Sequence, residues 1–299
     1  MRKAFLQLHL AVFLAGFTGV LGQLITLNEG MLVWYRLLIT ALSMWILYSF
    51  TRKLQPVTAI DKLKLAGVGF LAALHWVTFY GSIKYANVSV ALVCFSATGF
   101  FTALLEPLFL RRRLIVIELL LGLLVIAGIS IIFHFDPRYK TGIGLGVASA
   151  VFLAVVMILL KQFVARINSE TMLTWQISGG LLTLTLVMPL YLQQFPVASY
   201  WPGWENMGWL LVLSLFCSVW AFRLSADALK KLSAFTVNLT FNLEPLYGII
   251  LAFILFKENK NLNHWFYTGL LLIVFSVVLN MLRIQRMARR SSKPFLPHE

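Results

Sequence analysis

The amino-acid sequence predicts an all-α integral membrane protein with about ten transmembrane helices in two inverted five-helix repeats. Three observations support this fold class. The composition is extremely apolar, the chain contains ten apolar stretches of membrane-spanning length, and the second half of the chain repeats the first.

Of the 299 residues, 60% are hydrophobic and 12% are charged, and the mean hydropathy is +0.85. Soluble domains are about 45–50% apolar and about 25% charged. The charges cluster at the ends of long apolar stretches, so the net charge of +14 indicates membrane topology rather than a nucleic-acid partner. Both cysteines, Cys94 and Cys217, lie inside apolar stretches, and we expect no disulfide, metal site or cofactor.

A bilayer core of about 30 Å requires about 20 residues of helix. The ten predicted spans, numbered 1 to 10 in chain order, are 4–24, 31–51, 63–84, 90–110, 114–133, 141–164, 170–192, 208–228, 234–255 and 264–284. Span 1 follows Arg2-Lys3 as a signal peptide would. It is too long for a signal-peptide core and has a repeat partner in span 6, so we expect it to be retained.

The distribution of Lys and Arg predicts the orientation. With the N-terminus inside, 18 of the 25 basic residues fall on the inner side and 5 on the outer side, while Arg36 and Arg223 lie within spans. Cytoplasmic loops carry the excess of basic residues, so both termini are expected in the cytoplasm, here of a bacterial plasma (inner) membrane.

An internal repeat runs through the chain. The sequence Ala-Val-Phe-Leu-Ala of 11–15 recurs at 150–154, and span 4 aligns without gaps on span 9 at an offset of 146 residues. Matching segments keep their order while the offset drifts from 139 to 147 through loop insertions. We assign 1–137 to the first repeat, 138–286 to the second and 287–299 to a basic cytoplasmic tail.

Because each half holds five spans, the second half must enter the membrane upside down relative to the first. Such inverted repeats are common in secondary transporters, whose substrate site lies near mid-membrane at the repeat interface. The sequence therefore favours a carrier that works by alternating access. The Gly142-x-Gly144-x-Gly146 run lies in span 6 and indicates close helix packing rather than a nucleotide loop.

Two segments resemble the EamA type of the drug/metabolite transporter superfamily: 82–91 leading into span 4, and 228–234 leading through span 9 to Phe256-Lys257-Glu258. The resemblance covers essentially the whole chain. It implies ten helices in two repeats, cytoplasmic termini and transport, often export, of amino acids or other metabolites.

The chain departs from the family pattern at three places. Phe17-Thr18-Gly19 stands where the family often has Trp-Gly, and Gly99 occupies the span 4 position that aligns with Pro245. Arg111-Arg112 replaces the Gly-Glu pair that usually closes span 4, whereas Glu258 is kept after span 9.

Ionisable groups inside a membrane are costly and commonly mark functional sites. The candidate substrate-binding residues are Glu244, Asn242, Asn238, His75, Trp76, Arg223 and Trp220. Glu244 precedes Pro245, which cannot donate to the carbonyl of Phe241 and so opens a polar spot in span 9.

Each candidate has a structural alternative. Glu244 would serve as a protonated tie between helices, His75 as a neutral hydrogen-bonding group, and Arg223 as the partner of Asp227. Several other positions are expected to have mainly structural roles. Glu106 would pair with the cluster Arg111 to Arg113, and Asn87-Val88-Ser89 is a weak glycosylation sequon. Arg36 would extend outward to the interface, with an entrance contact as the alternative. Trp34 and Trp175 would anchor helix ends, with stacking on the substrate as the alternative.

We therefore expect a secondary transporter that exports a small metabolite such as an amino acid, and not an enzyme. A membrane-embedded enzyme or a scaffold without transport activity is the alternative. The expected partners are a small-molecule substrate and the lipid bilayer, with possible proton coupling, a possible homodimer and no nucleic acid.

Overall fold

The computed structural model describes residues 2–111, 113–135, 137–232 and 234–291, and these ranges are helical with short connections. In these ranges, nine helical stretches are long and apolar enough to cross a membrane. The remaining predicted span, span 9, is a helix interrupted near its middle. The predicted all-α membrane fold is confirmed.

The spans keep their predicted order, with ends that differ by a few residues. Their helices are Arg2–Leu24, Glu29–Phe50, Ala59–Tyr85, Val88–Phe95 with Thr98–Leu110, Val116–Phe135, Lys140–Leu160, Ser169–Gln194, Trp204–Leu211 with Val212–Trp220 and Ala221–Leu229, Ala234–Phe241 with Glu244–Phe256, and His264–Ser291. Short 3₁₀ turns occupy Pro137–Tyr139 and Glu258–Lys260.

Spans 4 and 9 are both interrupted, at equivalent positions of the two repeats. In span 4 the Ala97 N–H donates to the Cys94 carbonyl at 3.0 Å. In span 9 the Leu243 N–H donates to the Thr240 carbonyl at the same distance. Both bonds tighten the helix to a 3₁₀ turn, and 146 residues separate them, as the repeat predicts. Pro245 was expected to open a polar spot in span 9, and the structure goes further by dividing the span into two half-helices, with Thr240 on the first and Glu244 on the second.

The ends of equivalent helices repeat as well. Asn28 and Asn168 each begin a helix by accepting from the N–H three residues later, at 2.8 and 2.9 Å. Arg111 and Lys257, also 146 residues apart, end spans 4 and 9 in the left-handed conformation, with φ of 51° and 55°. These shared local structures support the two-repeat architecture.

Small residues allow the spans to approach closely, as is usual between membrane helices. Spans 3 and 7 cross at Gly69 and Gly180, and spans 5 and 10 at Gly128 and Gly269. The interpretation of the 142–146 glycine run is confirmed at two of its three positions. A Cβ on Gly142 would lie 2.4 Å from Ala86 Cβ, and one on Gly146 would lie 2.6 Å from Cys94 Cβ, whereas Gly144 faces open space.

Ion pairs with largely exposed basic side chains join the two halves at the span ends that lie on the side of the N-terminus, called the inner side here. Lys161 Nζ on span 6 lies 2.7 Å from a carboxylate oxygen of Glu106. The predicted pairing of Glu106 with the cluster Arg111 to Arg113 stays a prediction, because Arg112 lies outside the described residues. Arg166 pairs with Asp61 at 3.2 Å. Such exposed pairs each contribute about 1 kcal/mol or less to stability, so glycine-mediated packing is the larger constraint.

The crossing of spans 3 and 7 generates a prediction. Gly69→Ala should destabilise the fold by about 1–3 kcal/mol, because the new Cβ would meet backbone that cannot yield. That Cβ would lie 2.0 Å from the Gln176 carbonyl oxygen. Gly67→Ala, one half-turn away on the same helix, meets nothing within 4 Å and is the control. Thermal unfolding in detergent measures both variants, and an equal melting temperature for the two would contradict the packing.

Candidate substrate site

A buried arginine lies at the centre of the polar contacts between spans 2, 3 and 8. The Arg36 side chain is 4% exposed. Its Nε and Nη2 donate to Ser218 Oγ at 3.2 and 3.1 Å, and its Nη1 donates to the Tyr80 hydroxyl at 2.7 Å. The expectation that Arg36 extends outward to the interface is therefore wrong, because its guanidinium is held inside the bundle by both neighbours.

Span 8 supplies the serines through an unusual helix. Residues Val212–Trp220 form a π-helix, a rare element that is frequent at functional sites. Ser214 and Ser218 are both buried on its inner face, and Ser214 Oγ lies 3.4 Å from the Arg36 carbonyl oxygen. This stretch of span 8 thus contacts both the backbone and the side chain of Arg36.

Span 3 provides an aromatic wall. The Arg36 guanidinium carbon lies 4.4 Å from the centre of the Trp76 ring, within the range of a cation–π interaction. Tyr80, one turn further along the helix, is fully buried, whereas Trp76 is only half-buried. Trp76, predicted as a site residue, is therefore in contact with a charged group and still partly open.

The neighbouring His75 has a different environment. Its Nδ1 lies 2.8 Å from Ser149 Oγ and 3.0 Å from the Ser149 carbonyl oxygen on span 6. Its ring packs against Phe79 and Phe95. These contacts favour the alternative in which His75 is a hydrogen-bonded group that ties spans 3 and 6 together.

Glu244 begins the outer half-helix of span 9, directly after the interruption. A carboxylate in the first turn of a helix is stabilised by the exposed N–H groups there. The backbone at Glu244 packs tightly on span 1, since a Cβ on Gly16 would lie 2.8 Å from the Glu244 carbonyl oxygen. No ion pair joins Glu244 to Arg36 among the described side chains.

The other candidates are not among the described contacts of the Arg36 guanidinium. Asn242, together with its repeat equivalent Ser96, lines a small cavity of about 70 Å³ whose other walls are apolar groups of spans 9 and 10. The Asn238 side chain lies outside the described residues. Trp220 and Arg223 are exposed, and Trp220 packs on Phe216.

Arg223 does not form the predicted pair with Asp227. Lys230 Nζ donates to Asp227 Oδ1 at 2.9 Å instead, and this hydrogen bond raises the pKa of Lys230. Arg223 projects from the inner half of span 8, away from the buried serines.

Sequence reasoning did not identify Arg36, Tyr80, Ser214 and Ser218 as site residues. A useful pattern was present, because Arg36 is one of only two basic residues placed within spans. The direction in which its long side chain points was the missing information, since a residue about two turns from a helix end can extend either outward or inward.

The arrangement of the two halves also matches known proteins. The sequence pattern of the EamA-like transporter family covers residues 2–134 and 140–282, one copy in each half. The chain belongs to the EamA-like transporter family. The resemblance inferred from the residues around spans 4 and 9 is thereby confirmed.

Two further comparisons are consistent with membership of the EamA-like transporter family. An uncharacterized transporter of Haemophilus influenzae is 22% identical over 273 residues, which make up 85% of this chain and 86% of that protein. A solved crystal structure shares the fold, with a TM-score of 0.62 and 17% sequence identity over 96% of this chain and 99% of the other.

A wide cavity opens near the outer ends of spans 2 and 7. It has a volume of about 560 Å³ and is lined by Trp34, Tyr35, Met188 and Tyr200, among others. Trp34 Nε1 donates to Thr185 Oγ1 at 2.9 Å across the two spans, so this tryptophan lines a cavity in addition to lying near a helix end. Trp175, its repeat equivalent, packs against Trp45 instead.

Glu258, the acidic residue kept from the family pattern, caps span 4. Its carboxylate is buried and accepts from the Val88 and Ser89 N–H groups at 3.0 and 2.9 Å, and from the Ser89 hydroxyl. Asn87 accepts from the Val90 N–H at the same helix start. The Asn87 side chain and the buried Ser89 therefore both serve helix capping, which accounts for the sequon triplet.

Removing this cap should weaken the outer junction of spans 4 and 9. Glu258→Ala is expected to cost about 2 kcal/mol of stability, because two helix N–H groups lose a charged acceptor. Glu205→Ala is the control, since Glu205 is exposed in the first turn of Trp204–Leu211 and should change stability by less than about 0.5 kcal/mol. Thermal unfolding measures both, and similar losses would argue against the cap.

Proposed function

We propose that this member of the EamA-like transporter family is a secondary transporter that exports a small metabolite, such as an amino acid, by alternating access at the repeat interface. The observation that carries the proposal is the matched interruption of spans 4 and 9. Discontinuous helices at corresponding positions of inverted repeats commonly mark the substrate site of secondary transporters. Here Glu244 lies directly after one of the two interruptions.

The proposed setting is the plasma membrane of a bacterium, with both termini in the cytoplasm. The excess of Lys and Arg on the inner side supports that orientation. An even number of spans then returns the chain to the side on which it began. Export follows from the family resemblance.

Transport can be measured directly in proteoliposomes. Vesicles loaded with one amino acid or metabolite of a panel should accumulate the same compound in labelled form, by counterflow, above the level of protein-free vesicles. A membrane-embedded enzyme or a scaffold would give no counterflow. A folded protein that shows none across the panel would contradict the proposal.

Glu244 is the candidate for proton coupling, since His75 is engaged with span 6. Glu244→Gln keeps the size of the side chain but cannot titrate as a carboxyl group does. We expect this variant to retain counterflow and to lose the pH dependence of transport. Glu205→Gln, an exposed carboxylate, is the control and should keep the wild-type pH profile. An unchanged pH profile in Glu244→Gln would remove Glu244 from the coupling role.

A further inference from the structure

The Arg36 guanidinium has donors left over. A guanidinium carries five N–H groups. Three of them are used, two on Ser218 Oγ and one on the Tyr80 hydroxyl. No acceptor among the described residues takes the other two N–H groups, although Arg36 is only 4% exposed. A buried donor without a partner is costly, so this pair of N–H groups is suited to an acceptor that arrives from outside the protein.

The missing partner is an anion. Arginine keeps its charge under all ordinary conditions, and a buried charge is normally paired with an opposite charge. The partners of Arg36 are a hydroxyl of serine, a hydroxyl of tyrosine and the face of a tryptophan, all of them neutral. In the described ranges no carboxylate lies within ion-pair distance of this guanidinium.

The chemistry favours one carboxylate over a phosphate. Guanidinium groups bind carboxylates through two parallel hydrogen bonds in a common plane. Among the described residues, no second cation shares the hydrogen bonds to Ser218 and Tyr80 or the face of Trp76. A single positive charge suits a monoanion, whereas a phosphate dianion would require more positive charge.

We propose that Arg36 is the receptor for a single carboxylate group of the transported solute. Ser218 and Tyr80 fix the plane of the guanidinium, and Trp76 supports one of its faces. Trp76 is the half-buried member of this group, so the solute reaches the guanidinium along the Trp76 side. This inference rests on the proposed transport function and adds the chemical class of the solute.

Binding tests the inference without requiring transport. The purified full chain is titrated with acetate, benzoate, glycine and L-phenylalanine, and with the amide of each, while thermal stability is followed. At least one acid should raise the melting temperature at a concentration about tenfold or more below that of its amide, because a charge-assisted pair is replaced by a neutral one. Equal effects of acid and amide across all four pairs would overturn the proposal.

Variants then assign the effect to the guanidinium. Arg36→Gln should abolish the preference for the acid, and Arg36→Lys should weaken it because an ammonium lacks the planar fork. Arg52→Gln makes the same chemical change at an exposed inner loop and should behave as wild type. If Arg36→Gln does not fold, Arg36→Lys decides, and wild-type discrimination in that variant would refute a guanidinium receptor.

The two proposals fail in different ways. Acid-specific, Arg36-dependent binding without counterflow would refute transport and leave the carboxylate site standing. Counterflow that accepts amides as well as acids would support transport and refute the site.

Discussion

The structure depends on the requirement that every backbone N–H and C=O in a bilayer core be satisfied within the protein. Regular helices meet this requirement without help, which is why ten of them account for nearly all of the described chain. Departures from regular α-helix therefore need local compensation. They occur at Ala97, at Leu243 and along Val212–Trp220, where 3₁₀ and π bonding replace the usual pattern. The third of these departures contacts a buried charge, and the second directly precedes the Glu244 carboxylate.

The two repeats constrain the structure as well, since they share most local features of their helices but differ at one helix cap. Equivalent interruptions, helix caps and left-handed helix ends show that the two halves use the same local solutions. At the position equivalent to Glu258 the first half has Arg112, which lies outside the described residues. The outer ends of spans 4 and 9 are joined by a carboxylate cap, and the sequence provides no equivalent carboxylate for the inner ends. If the bundle alternates between two arrangements, as proposed, these unequal ends would give the two arrangements different stabilities.

Much of the fold could be predicted because it depends on one-dimensional properties: the length of apolar stretches, the placement of charge and the spacing of repeated segments. Pro245 marked the interruption in span 9 because proline removes a donor that a helix requires. Span 4 has Gly99 at that position, so its interruption was not visible in the sequence. Helix rotation was the other missing quantity. The depth of Arg36, His75 and Trp76 in the membrane follows from their positions along the spans. Which of them contacts serine hydroxyls, a carbonyl oxygen or open space depends on how the helices pack.

Arg36 and Glu244 belong to different repeats, and no ion pair joins them among the described side chains. Direct contact would satisfy both charges, and breaking a buried pair leaves an uncompensated charge, which is strongly destabilising. A site closed in that way would resist both solute binding and movement of the halves. Ser218 and Tyr80 hold the guanidinium, and Glu244 lies in the first turn of a half-helix, where exposed N–H groups favour a negative charge. Because the two residues belong to different repeats, any movement of one repeat relative to the other would change their separation.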